Sequence, residues 1–298
     1  MPQDISGYDV GALLYCPANA HHTVAQAVAA ERLPRPFSLA LCLEDTVRAD
    51  ALAAAEQAVE QTLHDLTDTA RQETFYRPLT FVRVRSPEQL ARLGRAYGKY
   101  RPLLTGFILP KFFIETCGAY CAVIRDLQAD GLDYFYMPVF EASSMLPLHT
   151  RHAALAEVKV QLDALRECIL NIRVGGNDLC HVFGLRRDPG HTIYDLRPVA
   201  DVLTDLLTAF APDYLVAGPV WEYYDGPGWA EGLAQECALD RLNGFVGKTV
   251  IHPKQIPIVN QSLQVSPADY ADAKSILAWD DPCLVAPSAE GTRMNEYQ

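Results

Sequence analysis

The sequence predicts an α/β protein built as a (β/α)8 barrel with an extra C-terminal helix and tail. Three observations lead there. Eight short runs rich in β-branched and aromatic residues recur along the 298 residues. A stretch with helical spacing follows each of them. The runs are close to continuously apolar, as expected of parallel strands covered on both faces. A doubly wound open sheet is the competing architecture. It usually carries fewer strands and often a glycine-rich phosphate loop after the first, and "CPANAHH" after the first run contains no GxGxxG.

The elements follow in order. The strands are Ala12 to Pro17, Ser38 to Asp45, Leu79 to Arg85, Gly106 to Lys111, Tyr134 to Glu141, Ile169 to Asp178, Tyr214 to Val220 and Thr249 to Pro253. "TVAQAVAAERL" and "ADALAAAEQAVEQTLHDL" supply the first two helices. "SPEQLARLGRAYG" supplies the third, with Ser86 as N-cap and Pro87 at the first helical position. "IETCGAYCAVIRDLQ", "HAALAEVKVQLDAL", "RPVADVLTDLLTAF" and "GWAEGLAQECALDRL" fill the next gaps, and a further helix follows the eighth strand. "SPADYADAKSILAW" then repeats the Ser-Pro start at Ser266-Pro267. The expected division is a catalytic barrel over residues 1–265 and a C-terminal helix and tail over 266–298, the tail contacting a neighbouring subunit.

Composition limits the function. Hydrophobic residues make up 49% and charged residues 21%, ordinary for a globular chain with a sizeable core. Asp and Glu number 37 against 25 Lys and Arg, a formal net charge of −12. That argues against a nucleic-acid or anionic-membrane surface, which needs excess cations. A few arginines in a cleft still set a local field for a small anionic substrate. No apolar run is long enough for a membrane span, and "MPQDISGYDV" does not read as a signal peptide. The eight cysteines form no CxxC pair and read as reduced thiols of a cytoplasmic protein.

In such a barrel the C-terminal strand ends build the active site. The second strand ends in Glu44-Asp45, the third carries Arg83 and Arg85, and the fourth ends in Lys111. The fifth ends in Glu141, the sixth in Gly176-Asn177-Asp178 and the eighth in His252. Glu141 and Asp178 lie on neighbouring strands. With water and substrate oxygens they suit Mg2+ or Mn2+. The alternative is that each caps the helix after it. The glycines before Asp178 let backbone come close to a ligand. Arg83 alternates with Val82 and Val84 and so points to the face opposite theirs; in a barrel one of the two faces is the lumen, where an inward arginine is expected. There it is either a substrate carboxylate clamp or a salt bridge to Glu44 or Asp45. Lys111 is either a Schiff-base amine or an ion-pair partner of Asp45 or Glu141. His252 is either a proton shuttle or a brace for the loop before Pro253. Lys248 and His252 are expected to bring charge to the rim of the cleft.

Taken in order, "ALLYCPAN", "LCLEDTV", "VRVR", "GFILPK", "MPVFEA", "VGGNDL…FGL" and "GFVGKTVIHPKQIPIVNQSL" carry a resemblance. The chain resembles the citrate lyase β-subunit-like branch of the HpcH/HpaI aldolase and citrate lyase family over most of its length, about residues 11–267. The last of these stretches is the most specific. The resemblance implies a (β/α)8 barrel that makes or breaks a C–C bond next to a carbonyl. It implies a divalent metal, Mg2+ or Mn2+, on Glu141 and Asp178. The family arginine corresponds to Arg83, its acidic pair to Glu44 and Asp45, and its "LPK" lysine to Lys111. It also implies a homo-oligomer, a trimer in many relatives. Gly11 and Ala18 replace the arginine and the glycine that usually flank the first-strand motif, and Arg85 replaces an asparagine. The first-strand region contributes to acyl-CoA binding in relatives, so these departures bear on a coenzyme A thioester substrate and leave the carboxylate pair in place.

Overall fold

The computed structural model describes residues 5–280, 285–289, 291 and 294–296. The chain separates into two compact units, Met1–Ser262 and Leu263–Gln298. The first is a barrel of parallel strands β1 (Ala12–Pro17), β2 (Ser38–Cys42), β3 (Thr80–Arg83), β4 (Leu104–Leu109), β5 (Phe135–Phe140), β6 (Ile172–Val174), β7 (Val216–Ala217) and β8 (Lys248–Val250). Neighbours pair in sequence order from β1 to β7, and β8 pairs with β1. The remaining seam closes through Val246 N–H to Val216 O at 2.8 Å and Gly218 N–H to Gly247 O at 3.0 Å. Helices α1 (His21–Ala29), α2 (Leu52–Gln72), α3 (Pro87–Ala96), α4 (Cys117–Ala129), α5 (Leu148–Asp163), α6 (Gly176–Phe183), α7 (Arg197–Phe210), α8 (Trp229–Asn243) and α9 (Ile256–Ser262) connect the strands.

Strand parity sorts the side chains. Leu13, Ala40, Phe81, Ile108, Met137 and Val139 share one buried cluster with Val10 and Leu170, which forms the apolar floor of the lumen. Each fully buried Phe or Met there contributes about 1.5–3 kcal/mol. Phe140 packs on Phe210 of α7 with ring centroids 4.9 Å apart. Gly106 of β4 is a point of close approach, since a methyl group on it would lie 1.8 Å from the Phe135 carbonyl oxygen of β5. Gly106→Ala is therefore expected to cost about 1–3 kcal/mol or more. Urea titration checks it as a lower midpoint at unchanged slope, and an unchanged midpoint would show that β4 and β5 can part freely.

Three expectations need adjusting. β6 stops at Val174, and Gly176, Asn177 and Asp178 form the first turn of α6. Two helices, α6 and α7, therefore follow β6. β8 stops at Val250, and His252 caps the 3-10 turn Pro253–Gln255. The Ser-Pro starts hold: Ser86 Oγ accepts from Gln89 N–H at 3.3 Å at the head of α3. In the second unit, Ser266 Oγ accepts from Asp269 N–H at 3.0 Å at the head of α10 (Pro267–Leu277). That unit also contains an antiparallel pair, β9 (Val285–Pro287) and β10 (Met294–Glu296). Among the described residues the cysteines are buried free thiols, and no helix is long and apolar enough to cross a membrane.

Candidate active site

A cavity of about 410 Å3 opens at the C-terminal ends of the strands. Arg83, the last residue of β3, is its hub. Nη1 donates to Asp45 Oδ2 at 2.9 Å, and Nη2 donates to Glu44 Oε2 at 2.9 Å and Glu141 Oε1 at 3.0 Å. Its guanidinium also lies over the Tyr15 ring, 5.7 Å from the centroid. The structure thus places Arg83 in ion pairs with both acids that the sequence offered, and with Glu141 as well. Arg85, which replaces the family asparagine, donates to the carbonyls of Leu43, Glu44 and Val47. It clasps the loop that carries Glu44 and Asp45.

Glu141 is 4% exposed. Its Oε1 accepts from Arg83 and, at 3.0 Å, from the backbone N–H of Lys111. Lys111 sits at φ +49. A non-glycine residue in that region is strained, and here the strained backbone aims its N–H at the carboxylate. Lys111 Nζ pairs with Glu44 Oε1 at 3.0 Å and so does not reach Asp45 or Glu141. That hydrogen bond pushes the Lys111 ammonium upward, opposite to what a Schiff-base amine needs. Glu141 Oε2 faces Gly175, where a methyl group would lie 2.3 Å from it. The glycine leaves room for a carboxylate of the protein itself. Gly176 is likewise required against Ile193 and Pro219 rather than against a ligand.

Burial pushes Glu141 up to about 7; Arg83 opposes the rise, and the charges of Asp178 and Glu44 add to it. Burial also raises Glu44, against the pull of Arg83. Asp45 is held low: its burial is outweighed by hydrogen bonds and charge from Glu44, Arg83 and Lys111.

Asp178 and Asn177 line the same cavity as Glu141. Among the described residues no donor meets Glu141 Oε2 or the Asp178 carboxylate. Two hard oxygen donors on one cavity, one of them driven toward neutrality by burial and by the other's charge, fit a divalent cation of the Mg2+ or Mn2+ type. Among the described residues no group of three or more His, Cys, Asp and Glu gathers as a closed cage. The remaining positions of such a cation would fall to water and substrate. Asp178 lies in the first turn of α6, so the helix-dipole interaction applies to it too.

His252 stands outside the cavity lining. Its Nδ1 accepts from Lys254 N–H at 3.2 Å and its ring stacks on Tyr224 at 4.5 Å. Lys248 is not at the rim. It points outward from the barrel, fully buried, to Glu236 Oε1 at 2.9 Å and Asp240 Oδ2 at 2.6 Å. Sequence reasoning missed Arg173, which lines the cavity and is 2% exposed. The parity argument applied to Arg83 would have found it, because Arg173 alternates with Ile172 and Val174 on an apolar strand.

A family described as C-C_Bond_Lyase of the TIM-Barrel fold matches residues 4–298. Among solved structures, the citrate lyase beta subunit of Mycobacterium tuberculosis complexed with oxaloacetate and magnesium is 22% identical, with a TM-score of 0.59 over 87% of this chain and 100% of that one. CitE of the same organism, in complex with magnesium, acetoacetate and coenzyme A, is 24% identical, with a TM-score of 0.62 over 96% and 92%. These likenesses show the fold. The (3S)-malyl-CoA thioesterase of Cereibacter sphaeroides is 35% identical over 96 residues, which span 32% of this chain and 31% of that protein.

Proposed function

Because the chain belongs to the C–C bond lyase family of the TIM-barrel fold, we propose that it cleaves or forms a C–C bond next to a carbonyl in a small carboxylate, 2-oxo acid or acyl thioester. Glu141 and Asp178 would hold the divalent cation, Mg2+ or Mn2+. The observation that carries this is the pair of carboxylates without protein donors on one cavity, with Glu141 fixed from behind by Arg83 and Lys111 N–H. The crystallised relatives with magnesium and oxaloacetate or acetoacetate support it.

When bound, that cation supplies electrostatic stabilisation of the negative charge that develops on the carbonyl oxygen as the bond changes. The chain's own residues do the rest. Arg83 orders three carboxylates in one geometry. Asn177 sits where it can orient substrate. Val139, Val174 and Ile251 line the cavity and keep part of it dry, which strengthens each charge interaction. The proton gained or lost at the carbon beside the carbonyl falls to the Glu44–Asp45 pair. Burial helps Glu44 retain a proton, and Asp45 brings the pair to the cavity surface. We extend the proposal to a cytoplasmic homo-oligomer, a trimer by resemblance, which sedimentation would weigh.

The test is a thermal-shift titration with Mg2+, with and without pyruvate or oxaloacetate, on wild type and Asp178→Ala. Wild type should gain about 2.7 kcal/mol at 100 times the dissociation constant, and more with the oxo acid. Asp178→Ala should not respond. Equal responses would leave the carboxylates structural and the barrel a non-catalytic metabolite binder, subunit or regulator. Acetyl-CoA in the same titration tests the thioester arm.

A further inference from the structure

Arg173 is buried in the cavity wall with no acid to balance it. Nη2 donates to Thr249 Oγ1 at 2.7 Å, Nη1 reaches Asn171 Oδ1 at 3.5 Å, and Nε has no partner. Tyr15 acts on it through charge and a side-chain hydrogen bond and Arg83 through charge, with no carboxylate among them. The other buried cations of the described residues are matched. Arg83 meets Glu44, Asp45 and Glu141. Arg151 meets Asp205, Arg187 meets Glu222 and Glu236, and Lys248 meets Glu236 and Asp240. A guanidinium stays protonated in proteins, and a buried charge without a counter-charge is among the costliest groups a fold can hold. The Nη atoms of Arg83 are already engaged by protein carboxylates, whereas Arg173 has no carboxylate partner.

We infer that Arg173 binds a second carboxylate of the substrate, which narrows the substrate class to short dicarboxylic 2-oxo or 2-hydroxy acids. The inference rests on the proposed lyase function, in which the first carboxylate and its neighbouring oxygen face Glu141 and Asp178. Arg173 is then a specificity-determining residue, with Thr249 holding one arm of its fork.

Titration calorimetry on the full chain with saturating Mg2+ tests it. Two ligand pairs are used, oxaloacetate against 2-oxobutyrate and 2-oxoglutarate against 2-oxovalerate. Each pair shares its carbon chain and differs only in a far carboxylate or methyl group. Wild type is expected to prefer the dicarboxylate of at least one pair by about 10- to 100-fold, the size of one charge-assisted hydrogen bond. Arg173→Met should abolish that preference and leave the monocarboxylate affinity unchanged. Arg173→Gln is the second neutral variant, used if the first does not fold. A wild type without preference in either pair, or a preference that survives the neutral variants, overturns the role of Arg173 and leaves the lyase proposal standing. If no 2-oxo acid binds the wild type at all, the 2-oxo acid arm of the lyase proposal falls and the role of Arg173 falls with it.

Discussion

Arg83→Met is expected to lower kcat/KM by about 10²- to 10³-fold, because it releases the carboxylates that frame the proposed reacting centre. Arg83 contacts Glu44, Asp45 and Glu141 within 3.0 Å. Methionine keeps much of the volume and removes the charge. Three acids would then converge with only the Lys111 ammonium paired to one of them, Glu44. Breaking a buried ion network by removing one partner costs about 3–5 kcal/mol, so chemical denaturation reads the effect before any substrate is known. Arg83→Lys should recover part of the stability and little of the activity, since an ammonium cannot reproduce the planar fork. A variant of wild-type stability would show that the three acids are not jointly held by this side chain.

The second large effect lies behind the barrel. Lys248→Met should cost about 3–5 kcal/mol of stability by leaving Glu236 and Asp240 short of a buried cation. The network it completes is extensive. Arg187 bridges Glu222, Glu236 and the Val220 carbonyl, and lies 4.7 Å over the Trp221 ring. Tyr194 donates to Asp240 at 2.6 Å. These contacts tie the loop after α6 to α8 and β8. Loss of Lys248 also steepens the pH dependence of stability. Burial already raises Asp240, with Lys248 opposing the rise. Without Lys248 its folded pKa climbs further above the unfolded value of about 3.9. The folded state then binds more protons than the unfolded state, so the contribution of Asp240 is fully present below about pH 4 and is lost as pH rises through the folded pKa. The double variant Lys248→Met, Asp240→Asn should recover much of the loss and flatten the profile. Denaturation of both from pH 5 to pH 8 checks it, and additive single effects would rule out the coupling.

The barrel was legible because each strand is a short apolar run bounded by turn residues, a local property. The placement of Glu141 and Asp178 on one cavity was legible because Glu141 directly follows its run and Asp178 comes within the first helical turn after its own, and the order of motifs made their correspondence to the family specific. Arg83 was legible because period-two alternation puts it opposite Val82 and Val84. The same alternation operates at Ile172-Arg173-Val174, where attention to the acidic segment that follows hid it.

Other features depend on which groups meet across the fold. Lys248 lies in the most specific motif of the sequence, yet parity alone cannot say which face of a strand buried on both sides is the lumen. Only the packing of α8 beside β8 shows that its partners are Glu236 and Asp240. Gly175 looks like a ligand-approach glycine until Glu141 Oε2 is seen against it. His252 becomes a cap because β8 ends at Val250 and the chain turns at Pro253. Arg173 has no acid partner because no carboxylate of the surrounding strands reaches it. Element type and strand order follow from short-range periodicity along the chain, whereas charge pairing is a long-range contact that exists only after the barrel closes.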